Sequence, residues 1–399
     1  MKKMRIDEVC LVNPRQSVNL PENSKISFVP MAAVSVNGQV DSCDTLELKK
    51  AKNYTVFQNG DVLFAKITPC MENGKGAIVR NLLNGYGAGS TEFIVLRPKE
   101  NVITAKWLYL YLSQRSFRWE CQQHMTGSAG QKRVPPKYLA SCEMPVPSIE
   151  EQERIVSKIE ELFSRLDASV AELKTAKEKL KVYRQAVLKE AFAGEYPRIS
   201  LKEIAKPLSG YAFKSKKYSI NGKYVVVKIG NVKPFHFDFS RDFTKTIEVD
   251  DAILSRYLLT RGDCLITMTG SRGKRDYGYV VMVEDQKNYL LNQRVAALRF
   301  NPSVALPKFF EYYLSSPQYR NQFFSYETGN VGQGNVGIKA LTEPEVICPP
   351  IKIQEEIIQK IEFRLSLCDS IEQTIDTSLQ QAEALRQSIL KQAFEGRLI

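Results

Sequence analysis

The chain is poor in histidine. Only His124 and His236 are present among 399 residues, so a histidine triad or a histidine-rich metal site lacks its main ingredient. Eight cysteines (Cys10, Cys43, Cys70, Cys121, Cys142, Cys264, Cys348 and Cys368) are scattered with no close pair. Metal and redox motifs use paired spacing such as C-x-x-C, so these cysteines read as reduced, packed thiols. Long apolar runs are missing too. The longest, residues 28–36, is interrupted by Pro30 and Ser35, far short of the roughly 18 residues of a membrane span. The first residues include Lys2, Lys3, Arg5, Asp7 and Glu8 and form no signal-peptide core. The expected location is cytoplasmic.

Catalytic signatures are equally scarce. Gly270-Ser271-Arg272-Gly273-Lys274-Arg275 invites comparison with a phosphate-binding loop, but that pattern needs glycine and Ser or Thr where Met268 and Arg275 stand. No glycine-rich loop follows a first strand. Asp44, Glu47 and Lys49 are too crowded to build a nuclease metal site. Pro135-Pro136 and Pro349-Pro350 lack the preceding Asn or Asp and the following aromatic that amino-methyltransferases set against a target base. The chain reads as non-enzymatic, with no metal and no cofactor of its own.

What the chain does have is a copy of part of itself. Adding 202 to each position of residues 127–196 lands without a gap on residues 329–398, with identities that include Gly130/Gly332, Gln131/Gln333, Pro147/Pro349, Gln152/Gln354, Ile159/Ile361, Arg184/Arg386, Phe192/Phe394 and Gly194/Gly396. Solenoid units run about 20–50 residues, so this is a module used twice. Charge follows the same division. Residues 1–147 carry a net +7, 148–195 a net −1, 196–349 a net +8 and 350–399 a net −2. Two basic bodies on near-neutral spacers imply a polyanion touched at two places.

Each spacer reads as a long helix. Ser148 with Glu151 forms a capping-box pattern. A 3.5-residue seam then runs through Ile159, Leu162, Leu166, Ser169, Leu173, Ala176, Leu180, Tyr183 and Val187. Its copy is Ile361, Arg364, Cys368, Ile371, Ile375, Ser378, Ala382, Leu385 and Ile389, with Arg364 a break that can be offset onto Leu365. A helix of about 40 residues is about 60 Å long and cannot bury such a stripe alone, so the two are expected to pair antiparallel as a coiled coil. The globular segments are mixed: apolar strand-like runs at 61–67, 76–79 and 92–97, and at 224–229, 263–268, 279–283 and 294–299. One amphipathic helix is predicted after each set, over 105–119 and 307–324. The anchors match at the same offset, whereas residues 66–89 and 268–291 diverge. A shared scaffold with different loops fits a pair of readers with different targets.

The candidate DNA-binding residues lie in those loops. In the first half they are Lys66, Asn73 and Lys75, then Ser128, Gln131, Lys132 and Arg133. In the second they are Arg272, Lys274, Arg275 and Tyr277, then Asn330, Gln333 and Asn335. Asn and Gln match adenine edges in the major groove, and Arg matches guanine.

The segment Pro145-Val146-Pro147-Ser148-Ile149-Glu150-Glu151-Gln152-Glu153-Arg154-Ile155-Val156 closely resembles the spacer of type I restriction-modification specificity subunits. So do Leu385-Arg386-Gln387-Ser388-Ile389-Leu390-Lys391-Gln392-Ala393-Phe394-Glu395-Gly396 and the matching residues 183–194. The resemblance implies an α+β chain. Two similar mixed α/β target-recognition domains, 1–147 and 196–349, are separated by two long antiparallel coiled-coil helices, 148–195 and 350–399, with internal pseudo-two-fold symmetry. It implies that each domain reads one half of a split, asymmetric double-stranded DNA target. The helices then set the distance between halves and dock two modification subunits. Those partners bind S-adenosylmethionine and methylate adenine, and restriction subunits are further partners. Two other readings stay open: a coiled-coil scaffold that never touches DNA, opposed by the two basic domains, and a cryptic nuclease, opposed by the missing motifs.

Overall fold

The computed structural model describes all residues except Gln16, Ser42, Ala129, Ile247, Glu248, Gln286, Asn330 and Val331. Packing divides the chain into two compact units. The first is residues 1–173 with 376–399, and the second is residues 174–375. Each unit therefore takes part of both long helices, Ile149–Ala191 and Ile351–Phe394.

In the first unit, Val62–Ala65 and Phe93–Pro98 are the inner strands of a four-stranded antiparallel sheet, flanked by Gly76–Ile78 and Cys10–Val12. These strands lack polar alternation because both sheet faces are covered. Val62, Phe64, Ile94 and Leu96 face Trp107, Phe117 and the helical residues Ile159, Leu390 and Phe394. Leu63, Phe93 and Val95 face Val29 and Phe57 of a second sheet. There Lys25–Val29 and Tyr86–Gly89 run parallel, edged by Asp44–Glu47 and Thr55–Gln58.

The second unit repeats the plan. Cys264–Thr267 and Val295–Phe300 are the inner strands, with Ala205–Ser209 and Val280–Met282 outside. A sheet of Lys245–Thr246, Tyr224–Val227 and Tyr289–Leu291 covers one face. A further sheet of Thr269–Ser271, Gln333–Val336 and Glu327–Thr328 stands beside it.

The duplicated residues that hold this plan are buried polar groups with one answer each. Asp61 and Asp263 are both buried and both clamped by an arginine fork, Arg97 at 2.7 and 2.8 Å and Arg299 at 2.8 and 2.7 Å. Gln152 accepts from Thr104 N at 2.9 Å and donates to Val102 O and Pro147 O at 3.0 Å. Gln354 accepts from Leu306 N at 2.9 Å and donates to Val304 O and Pro349 O at 2.8 Å. A buried amide must find every partner, so each glutamine fixes where its long helix leaves its sheet.

Two expectations need correction. Each single helix of the globular segments is a broken pair, Ala105–Leu112 with Arg115–Gln123 and Pro307–Ser315 with Pro317–Ser325. Gln114 and Ser316 are extended at the breaks. Pro317 disfavours helical geometry at Ser316 and suits the first helical position after it.

The second correction concerns the seam. Ile371 and Leu385 are 41% and 52% exposed, and Tyr183 is also exposed. The alternate seam positions fall one residue later, at Phe163, Val170, Lys177 and Arg184 and at Leu365, Glu372, Leu379 and Arg386, all at least half-buried. In the first unit the Arg386 guanidinium lies 4.3 Å from the centre of the Phe163 ring and pairs with Asp167. In the second, Arg184 pairs with Asp369 at 2.7 Å and Glu372 at 2.9 Å, while Arg364 reaches Glu190 at 2.8 Å. Later residues of one helix meet earlier residues of the other, so the helices run antiparallel within that unit. Leu365 packs on the core beside Arg364. Ile159, Leu162, Leu166, Leu173, Leu180, Val187, Ile361, Ile375 and Ile389 keep their inward positions, buried or half-buried. No helix among the described residues is long and apolar enough to cross a membrane.

Candidate nucleic-acid interface

In the first unit the chain leaves Val62–Ala65 through Lys66, whose backbone is held at both ends. Lys66 N donates to Glu92 O, and Val134 N donates to Lys66 O, each at 2.9 Å. Thr68 N donates to Lys132 O at 3.0 Å, and Thr126 and Arg133 exchange backbone bonds at 3.0 and 2.8 Å. This brings the loops 66–75 and 126–133 together. The second loop needs Gly127, at φ +119, because a side chain there would strike Gln131 O. Its copy Gly329, at φ +127, faces Gln333 O in the same way.

Asn73, Ser128, Gln131 and Lys132 are exposed and available to a ligand. Lys66 lines a surface cavity of about 320 Å³ with Asn13, Thr55 and Thr91. Lys75 and Arg133 are largely committed within the unit. Lys75 Nζ donates to Met31 O at 2.9 Å. Arg133 grips the Glu92 carboxylate through Nε at 2.9 Å and Nη2 at 2.8 Å. Those hydrogen bonds hold Glu92 below its ordinary carboxylate range.

The same backbone geometry recurs in the second unit. Met268 N donates to Arg294 O and Val336 N to Met268 O, each at 2.9 Å. Thr269–Ser271 then pairs with Gln333–Val336. Gln333 and Lys274 are exposed, and Asn335 is half-buried opposite Thr269. Arg272 is exposed but anchored, with Nη1 donating to Gly329 O at 2.9 Å. Arg275 sits at φ +49 with its guanidinium 4.9 Å from the Phe324 ring centre. Asn330 lies outside the described residues. A cavity of about 330 Å³ opens among Gly230, Lys233, Thr269, Ser271, Arg294 and Gln333.

Tyr277 is not a contact residue. It has no exposed surface, its ring meets Phe324 edge-on at 5.0 Å, and its hydroxyl bonds the Glu327 carboxylate. Burial, and then that carboxylate, push its hydroxyl pKa up. An aromatic among charged loop residues looks like a stacking platform in sequence but here plugs the core beneath the loop.

Glu92, which binds Arg133, and Lys233 and Arg294, which line the second cavity, were not among the sequence candidates. Glu92 and Arg294 stand at the same repeat position with opposite charge, which was the available signal. The nuclease candidate Glu47 is engaged by Lys49 at 2.9 Å and Lys50 at 3.7 Å. Among the described residues, no group of three or more His, Cys, Asp or Glu could hold a metal ion.

The family model described as the type I restriction modification DNA specificity domain matches residues 1–179 and 194–381. The chain is 40% identical over 166 residues to the type I restriction enzyme EcoAI specificity subunit of Escherichia coli, which is 41% of this chain and 28% of that protein. It is 25% identical over 397 residues to the EcoKI specificity subunit of Escherichia coli K12, covering 94% of this chain and 83% of the relative. The fold matches a chain from work on complex assembly and conformational transition of the type I R-M system. That match has a TM-score of 0.76 and 20% identity, over 100% of this chain and 98% of the other. The HsdS subunit from Thermoanaerobacter tengcongensis matches with a TM-score of 0.59 and 19% identity, over 100% and 97%. With both halves matched by one family model, on the same duplicated framework, this chain belongs to the type I restriction modification DNA specificity family.

Proposed function

We propose that this chain is the DNA specificity subunit of a type I restriction-modification complex, that it reads a bipartite, asymmetric double-stranded target, and that it is itself non-catalytic. The first unit reads one half-site and the second reads the other. The long helices space the halves and dock two modification subunits, with restriction subunits as further partners. S-adenosylmethionine belongs to the modification partner.

The observation that carries this reading is the contrast between framework and surface. Asp61/Asp263, Arg97/Arg299 and Gln152/Gln354 repeat bond for bond. The loop positions beside them do not: the partly buried Lys66, Glu92 and Arg133 are matched by the buried Met268, the exposed Arg294 and the half-buried Asn335. A constant scaffold under a changed surface is the design of two readers with different targets. Phosphate neutralisation by the +7 and +8 segments supplies affinity without sequence information, and loop side chains supply the sequence.

Methylome sequencing of cells that carry this chain with its modification subunits tests the proposal. A single split motif, methylated in both halves, is the expected result. No motif, with salt-insensitive DNA binding, favours the coiled-coil scaffold. Cleavage by the purified chain with Mg²⁺ favours the nuclease.

A further inference from the structure

We infer that Arg294 is a specificity-determining residue of the second unit and reads the edge of a guanine; this rests on the DNA-specificity reading above. Its backbone is fixed on both sides. Arg294 O accepts from Met268 N at 2.9 Å, and the next residue, Val295, is buried and begins an inner strand. Arg294 itself sits at φ +67, a left-handed conformation that costs free energy for a side chain of this size and concentrates at functional sites. Its guanidinium is exposed and has no hydrogen-bond or ion-pair partner among the described residues.

The surroundings leave that guanidinium free for a ligand. Arg294 lines the cavity with Lys233, Thr269 and Gln333, and the one carboxylate on its wall is Asp276. Asp276 is already occupied, accepting from Ser271 N at 2.6 Å and Ser271 Oγ at 3.0 Å. The neighbouring arginines are less free, since Arg272 is bound to Gly329 O and Arg275 rests on Phe324.

Comparison with the first unit isolates what is special here. The same backbone bond, Lys66 N to Glu92 O at 2.9 Å, places Glu92 at the matching spot. There the charge is neutralised internally by Arg133. In the second unit the clamp position is Asn335, and the charge at the centre is positive and unspent. Arg294 stands in a tight turn one residue before an inner strand, so its backbone is held in place while its fork is left free for a ligand. That geometry suits the O6 and N7 acceptors of guanine in the major groove.

The test is selection from a randomised double-stranded DNA library by the full-length chain in complex with its modification subunits, using wild type and the variants R294A, R294K and R294G. The wild-type motif should contain a G·C pair at one position of one half. R294A and R294K should lose about ten- to a hundred-fold of the preference for guanine at that position, with the other half unchanged. Glycine adopts positive φ without penalty, so R294G should melt no lower than wild type while losing the same preference. That variant separates loss of reading from loss of fold. An unchanged motif overturns the inference. So does an equal loss of affinity for every sequence, which marks a phosphate contact. If wild type enriches no motif, the DNA-specificity reading itself fails and this inference falls with it.

Discussion

Phe394, in the last turn of the second long helix, packs on Trp107 with ring centroids 4.5 Å apart, and its repeat partner Phe192 packs on Phe309 at 5.4 Å. Each repeat thus ends in the core built around the other repeat's globular segment. Removing a buried phenylalanine costs about 3–5 kcal/mol. Phe394→Ala should therefore weaken the first unit, and Phe192→Ala the second. Hydrogen exchange checks this. Protection should fall in Val62–Ala65 and Phe93–Pro98 for the first variant, and in Cys264–Thr267 and Val295–Phe300 for the second. Equal loss in both units from either variant would contradict the assignment.

Gln152 and Gln354, both fully buried, each satisfy one backbone N–H and two backbone carbonyls. Replacing either by alanine strands those groups. The expected cost is about 2–4 kcal/mol in the affected unit, read from chemical denaturation. Gln→Glu should be at least as damaging, because a carboxylate cannot donate to the two carbonyls.

The corrected seam gives a third expectation. Lysine at Ile371 or Leu385, both exposed, should change stability by no more than about 0.5 kcal/mol. Lysine at Ile375, 5% exposed, should cost several times that, because it buries a charge without a partner. Thermal melting of the three variants separates the two registers.

The legibility of this chain divides along the same line. The repeat, the strand cores and the long helices could be read because apolar periodicity and identity at one offset report packing directly. Part of the seam could not. Lys177, Arg184, Glu372 and Arg386 occupy inward positions, where their charges find partners and their stems cover apolar surface. An apolar pattern therefore drifted to the exposed Tyr183, Ile371 and Leu385. The candidate site was legible as two loop pairs, but not in its details. That Arg133 belongs to Glu92, and that Tyr277 points inward to Glu327, depends on contacts between residues distant in sequence.

The Glu92–Arg133 pair also carries a pH expectation. Glu92 is held below its ordinary range by Arg133. Its contribution is therefore fully present above the unfolded glutamate value of about 4.3 and is lost as the pH falls through the depressed folded value. Protection of the Thr126 and Arg133 amides, corrected for the intrinsic pH dependence of exchange, should fall in that acid window and stay flat above it. Glu92→Gln should remove the dependence.

The central claim is that each unit reads its own half of the target. The most direct measurement is methylation mapping after residues 196–349 are exchanged for the second recognition segment of another family member, with the modification subunits unchanged. The account predicts a new sequence in one half of the motif and the original sequence in the other. A change in both halves, or in neither, would contradict it.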